Sequence, residues 1–150
     1  MRTGRVFVCS AMVLVGLAAG PSAAQAADAE QLMLQSLNQV RVKHGLSPLQ
    51  ESVSLKRSAR SHSAFMLGRD FLGHLGRIRM PRRFRLRGEI IAWSRGSRSR
   101  RHAVLRSWLR SPAHRRVVLS SRFRFAGVGL VRGALGRTKG YAWTVHFGRL

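Results

Sequence analysis

Four ionisable side chains, His62, His74, Glu89 and His114, are of the types that act together in cleft chemistry. Glu89 is the most informative, because it stands in Gly88-Glu89-Ile90-Ile91-Ala92-Trp93. A carboxylate in so apolar a run is costly to bury unless a cation, a histidine or a metal stands beside it. Imidazole and carboxylate donors suit zinc, and a His-His-Glu set with open positions could activate water. Spacing alone does not bring the four together: there is no His-Glu-x-x-His pair and no cysteine ligand near them. Taken singly, each histidine is more often a structural residue than a ligand. His44 and His102 fall at helix ends among basic neighbours, and His146 alternates out of the apolar face of its strand, toward cleft or surface. No Gly-x-Ser-x-Gly elbow and no Gly-rich phosphate loop occurs, which argues against hydrolases and nucleotide enzymes of those types.

The elements that must position these residues are legible from periodicity. Asp28 can cap a helix with Gln31 three residues on, and Leu34, Leu37 and Val40 continue it to about His44, where Gly45 stops it. Pro48 keeps Ser47 extended. A second helix from about Ser52 to Leu67 carries Leu55, Ala59, His62 and Met66 on one face. Gly73, Gly76, Pro81 and the arginines Arg82, Arg83, Arg85 and Arg87 make the following stretch a loop. Glu89 lies in a short buried piece, followed by a polar basic linker from Ser94 to Arg101. A third helix runs from about Arg100 to Arg110, and a fourth, capped by Ser111 with Pro112 in its first turn, carries His114 and ends near Leu119. Alternation around Ala126–Val131 and Tyr141–Phe147 predicts two strands, joined by a hairpin with a long glycine-containing loop from Arg132 to Gly140. Helices first and strands last predict an α+β fold.

The first residues bound where this fold works. Arg2 and Arg5, an apolar stretch from Val6 to Ala19 and small residues ending in Ala24-Gln25-Ala26 read as a secretory signal, 1–26, leaving one domain over 27–150. Cys9, the only cysteine, leaves with it, so the exported chain forms no disulfide and takes no disulfide-linked partner. The formal charge is +23, only Arg2 and Arg5 of it in the signal, and every cation but Lys43, Lys56 and Lys139 is arginine. Such a charge predicts adhesion to anionic polymers or lipid headgroups, and arginine pairs with phosphate and carboxylate bidentately. A compositional bias toward arginine would give the same charge, since the arginines are spread along the chain. Nucleic acid would bind only non-specifically: aromatics do not alternate with arginines on one face, and export removes a genomic target.

The order of several segments resembles the cysteine-poor bacterial branch of the CAP superfamily (cysteine-rich secretory protein, antigen 5, pathogenesis-related 1), whose domain is also called SCP. The matching pieces are Leu37-Asn38 with Arg41 and Gly45-Leu46-Ser47-Pro48-Leu49; Ala59-Arg60-Ser61-His62-Ser63 with Met66; Phe71-Leu72-Gly73-His74; Gly88-Glu89-Ile90-Ile91-Ala92; Trp108 with Ser111-Pro112-Ala113-His114-Arg115; and Gly127-Val128-Gly129 with Trp143-Thr144 and Phe147-Gly148. The resemblance implies an αβα sandwich with a central three- or four-stranded antiparallel sheet. It also implies that His74, Glu89 and His114 converge on a cleft that in the family often binds a divalent metal, zinc for instance, with His62 close by. Four positions depart from the family pattern: Phe65 and Ile90 replace an aspartate and an asparagine, and Val145-His146 replace Gln-Asp.

These departures remove polar groups, so the favoured expectation is a secreted binding module for a lipid or an anionic cell-envelope polymer. The alternative is a metal-dependent extracellular hydrolase in which His74 and His114 hold the metal and Glu89 is ligand or catalytic base.

Overall fold

The computed structural model describes residues 23–96 and 100–150. Most of the expected signal segment lies outside them. Eight elements follow in order: α1 (Ala23–Lys43), β1 (Gln50–Glu51), α2 (Val53–Gly68), β2 (Leu86–Arg95), α3 (Arg101–Arg110), α4 (Pro112–Val118), β3 (Phe125–Leu135) and β4 (Thr138–Arg149). Helix α1 begins before Asp28, which therefore lies inside it and not at its cap. At its other end Gly45 takes a left-handed conformation (φ 70°), and the amide of Leu46 donates back to the Arg41 carbonyl at 3.0 Å. Helix α2 is capped as its sequence suggests, with the Ser52 hydroxyl accepting from the Leu55 amide.

The sheet has four strands in the order β1-β3-β4-β2. It is mixed, which corrects the expectation of an antiparallel sheet: β3–β4 and β4–β2 are antiparallel, but two-residue β1 pairs parallel to β3. The chain leaves β1 directly into α2, so β1 enters the edge in the direction that α2 requires. The hairpin also differs from expectation. Leu135 pairs with Thr138 across a two-residue turn in which Gly136 has φ 57°, and the strands extend through most of the predicted loop. The short piece around Glu89 is one part of a ten-residue strand, β2, paired along its whole length with β4.

Alternation along the strands separates two faces. Ile90, Val128, Leu130, Trp143, Val145 and Phe147 point into the main core, packed on Met33 and Leu37 of α1, Val104 and Trp108 of α3, and Val118 of α4. Helix α2 covers the opposite face. It comes so close to β3 that a Cβ on Gly127 would collide with the backbone of Leu55 and Lys56, and one on Gly129 with that of Ala59 and Arg60. The result is the αβα sandwich, with helices α1, α3 and α4 on one side and α2 on the other.

Polar groups tie the layers at defined points. The buried Arg41 donates to the carbonyls of Ser47 (3.1 Å), Val118 (2.7 Å) and Ser120 (2.9 Å), joining α1 to the following turn and to the end of α4. Asn38 exchanges two hydrogen bonds with the backbone of Leu49. Glu30 accepts from Arg60 of α2 and from the Leu130 amide, which satisfies a donor of β3 beyond the end of β1. Trp108 of α3 donates to the Ile91 carbonyl at 2.8 Å and so holds α3 against β2.

Close approach of α2 is the condition for everything beneath it. Gly129→Ala is expected to destabilise the fold by about 1–3 kcal/mol or more, because backbone on both sides must move. Gly68→Ala, whose added methyl meets nothing within 4 Å, should stay within about 0.5 kcal/mol. Urea unfolding of the two variants checks the contrast.

Candidate functional site

The α2-facing side of the sheet carries a polar seam among apolar neighbours. Glu89 on β2 and His146 on β4 are direct cross-strand partners, and Gly127 on β3 lies opposite His146 on its other side. Because Gly127 has no side chain, α2 descends there and His62 reaches the same carboxylate. Ser63, the next residue of α2, continues the seam with a 2.8 Å hydrogen bond to Thr144.

Glu89 is the centre. Its side chain is only 2% exposed, and three imidazoles surround it: His74 Nδ1 lies 2.7 Å from Oε1, His146 Nε2 2.8 Å from Oε2, and His62 Nδ1 2.7 Å from Oε2. His74 and His146 make hydrogen bonds. His62 approaches off the hydrogen-bond axis, and neither of its buried ring nitrogens has a hydrogen-bond partner. The far nitrogen of His146, Nδ1, is 2.8 Å from the Ser58 hydroxyl. With Nε2–H donated to Glu89, a neutral His146 ring accepts the Ser58 proton at Nδ1, in competition with the Leu55 carbonyl at 2.9 Å. His62 and His146 stack with ring planes 21° apart.

The electrostatics follow from this geometry. Burial alone would push the Glu89 carboxyl upward, but contacts with His146, His62 and His74 outweigh it and hold the group well below the usual carboxylate range. The folded state therefore favours the ionised form of Glu89.

His62, His74 and Glu89, all named from sequence, meet in the structure. The His114 side chain does not touch Glu89: among the described residues it makes no hydrogen bond or ion pair. Its imidazole is nevertheless lowered from its ordinary range, first by burial and then by the charge of His74, which places it within the electrostatic reach of the group. His146 and Ser58 complete the arrangement. Alternation along β4 left His146 open between cleft and surface; Ser58 had no distinguishing sequence signal, being one of several serines on α2. Two of the departures from the family pattern point away from the cluster, since Ile90 and Val145 are fully buried in the main core. Phe65 is half-buried under the Arg69 guanidinium, 5.8 Å from its ring centroid.

One atom from each of His62, Glu89 and His146 lies within 4.8 Å of the others, so this buried group could hold a metal ion. Two imidazoles and a carboxylate are a suitable donor set for a divalent ion. The fit is supported by the two unpartnered nitrogens of His62 and by outer partners that would orient the donors: with an ion in place of the His146 Nε2 proton, Nδ1–H donates to Ser58, and His74 stays on Glu89.

A four-stranded sheet between helical layers, with a buried glutamate ringed by histidines beneath one helix, defines an α+β domain with a buried His/Glu cluster. The chain belongs to the CAP family, the cysteine-rich secretory protein family, whose pattern matches residues 34–147. A curated relative is the uncharacterized protein YkwD of Bacillus subtilis (strain 168), 30% identical over 127 residues. That match covers 79% of this chain but 46% of the relative, so the chain spans about half of that protein's length. Among solved structures, an extracellular protein containing a SCP domain from Bacillus anthracis str. Ames is 25% identical with a TM-score of 0.69, over 88% of this chain and 45% of that one. An outer surface protein from Borrelia burgdorferi shares the fold at a TM-score of 0.65 and 18% identity, over 81% of this chain and 92% of that one.

The depressed Glu89 carboxyl makes stability depend on pH with a definite sign. The folded state holds the ionised form, so its contribution is complete above the unfolded value of about 4.3 and is lost progressively as pH falls below it. Thermal melts of the wild type should drop steeply on acidification through that range, and Glu89→Gln should show a shallower dependence there. Near neutral pH the same variant should be less stable by about 1–3 kcal/mol, because the buried imidazoles lose a charged acceptor.

Proposed function

We propose that the chain is an exported CAP-domain binding module that acts outside the cell on an anionic partner, a lipid headgroup or an envelope polymer. The observation that carries this reading is the fate of the acids. Glu30 is held by Arg60, Glu51 by Lys56, Asp70 by the Gly136 amide and Glu89 by histidines. Four of the five carboxylates are therefore engaged internally, with few of the cations, and the arginine surplus behind the +23 charge is left for external anions. An extracellular location is supported by the signal-like first 26 residues and by the extracellular or outer-surface character that the relatives' names carry.

Within the buried cluster, His62, Glu89 and His146 are the donors for a divalent ion such as zinc. A bound ion there would supply Lewis acidity, while Ser58 and His74 orient the donors. Binding is favoured over the hydrolase reading because the Glu89 side chain is only 2% exposed, which gives a substrate no approach to it as a base.

Two measurements test these readings. Vesicles containing an anionic lipid should sediment the protein at low salt and release it as salt rises, while zwitterionic vesicles should not. Absence of binding to anionic vesicles and to an anionic polymer at the lowest salt overturns the binding reading. For the metal, protein purified after zinc exposure should carry about one equivalent. His62→Ala and His146→Ala should lose it and His114→Ala should keep it; equal content in all four proteins overturns the site.

A further inference from the structure

Between His74 and β2 the chain folds around a cavity of about 560 Å³, lined by Leu75, Ile78 and Met80 and by four arginines, Arg77, Arg79, Arg82 and Arg87. Its volume is in the range of small-ligand sites. The loop that forms it is anchored underneath: Met80 and Phe84 are buried with Leu55 of α2, and Ile78 packs against them. Arg87 is held as well, donating from Nε to the Phe84 carbonyl at 2.9 Å. It lies two residues before Glu89 on β2 and so on the same face of the sheet, which sets the cavity beside the His/Glu cluster.

The charge of this cavity has no internal answer. All five acids of the chain lie among the described residues, and none makes an ion pair with any of the four arginines. A single carboxylate would occupy one guanidinium fork. Four forks around one space match a ligand with several acceptor oxygens and more than one negative charge close together, and guanidinium geometry fits phosphate oxygens in pairs. The apolar walls from Leu75, Ile78 and Met80 suit a ligand whose phosphates carry an apolar group.

We infer that the cavity formed by Arg77, Arg79, Arg82 and Arg87 is a binding site for a phosphate-dense anion of the diphosphate or phosphomonoester class. The inference rests on the binding-module reading and gives it a location and a ligand chemistry. The phosphate is either the headgroup of a lipid or that of a free phosphate compound, and two probes separate the sources.

The test titrates inorganic pyrophosphate, and separately vesicles containing phosphatidic acid, into three proteins at physiological salt. These are the wild type, Arg79→Glu with Arg82→Glu, and Arg132→Glu with Arg137→Glu. Both pairs are exposed and change the net charge equally, but the second pair sits on the β3–β4 hairpin at the far end of the sheet. The cavity pair should weaken binding at least tenfold while the hairpin pair stays within threefold of wild type, with unchanged melting curves for both. Loss for pyrophosphate and vesicles alike supports a site open to both sources; loss for one probe alone supports the site and assigns its source. Equal weakening by the two pairs overturns the cavity and leaves a general cationic surface. Wild type that binds an anionic polymer but neither phosphate probe also overturns the cavity and leaves the module reading standing. Wild type that binds no anion even at low salt overturns both.

Discussion

A buried carboxylate organises this domain. Glu89 sits at the boundary between an edge strand and the helix that covers it, where an uncompensated charge would cost several kcal/mol. Three imidazoles from three separate parts of the chain compensate it: His62 from α2, His74 from the loop after α2, and His146 from β4. The constraint works in both directions. The cluster fixes how α2 lies on the sheet, and α2 can lie there only because Gly127 and Gly129 leave no side chain between helix and strand.

The two faces of the sheet divide the work. The face toward α1, α3 and α4 is a continuous apolar core, in which Ile90 and Val145 are ordinary packing residues. The face toward α2 carries the polar seam of Ser58, His62, Ser63, Glu89, Thr144 and His146. Separation by strand alternation lets substitutions on one face improve packing without altering polar groups on the other. This is why a chain can depart from its family at Ile90 and Val145 and still keep a charged cluster one residue away.

Stability and surface charge are linked through the small number of acids. With one cysteine in the whole chain and an arginine excess, the fold relies on packing and on a few buried polar anchors such as Arg41 on three carbonyls and Glu30 on Arg60. Each carboxylate spent on an internal anchor leaves guanidinium groups elsewhere without an intramolecular partner. The loop between His74 and β2 gathers four of them around one cavity beside the cluster.

The sequence by itself determined the helices and their order, the helical face bearing His62, the capping of α2, the loop rich in arginine and the need of Glu89 for partners, because these depend on local periodicity, on turn chemistry and on the cost of desolvating a charge. It also carried the family resemblance, through short segments several of which have local roles: Asn38 and Gly45 shape the end of α1 and its turn. What it left open were relations between strands. The parallel pairing of β1 with β3, the two-residue turn at Gly136 and the full length of β2 depend on partners far away in the chain. Register decided the site: a shift of one residue in β4 would have turned His146 into the core and put an apolar neighbour beside Glu89. Only the tertiary structure could decide that His146 faces Glu89, that Ser58 stands behind it, and that His114, on the short helix α4, stays out of contact with that carboxylate.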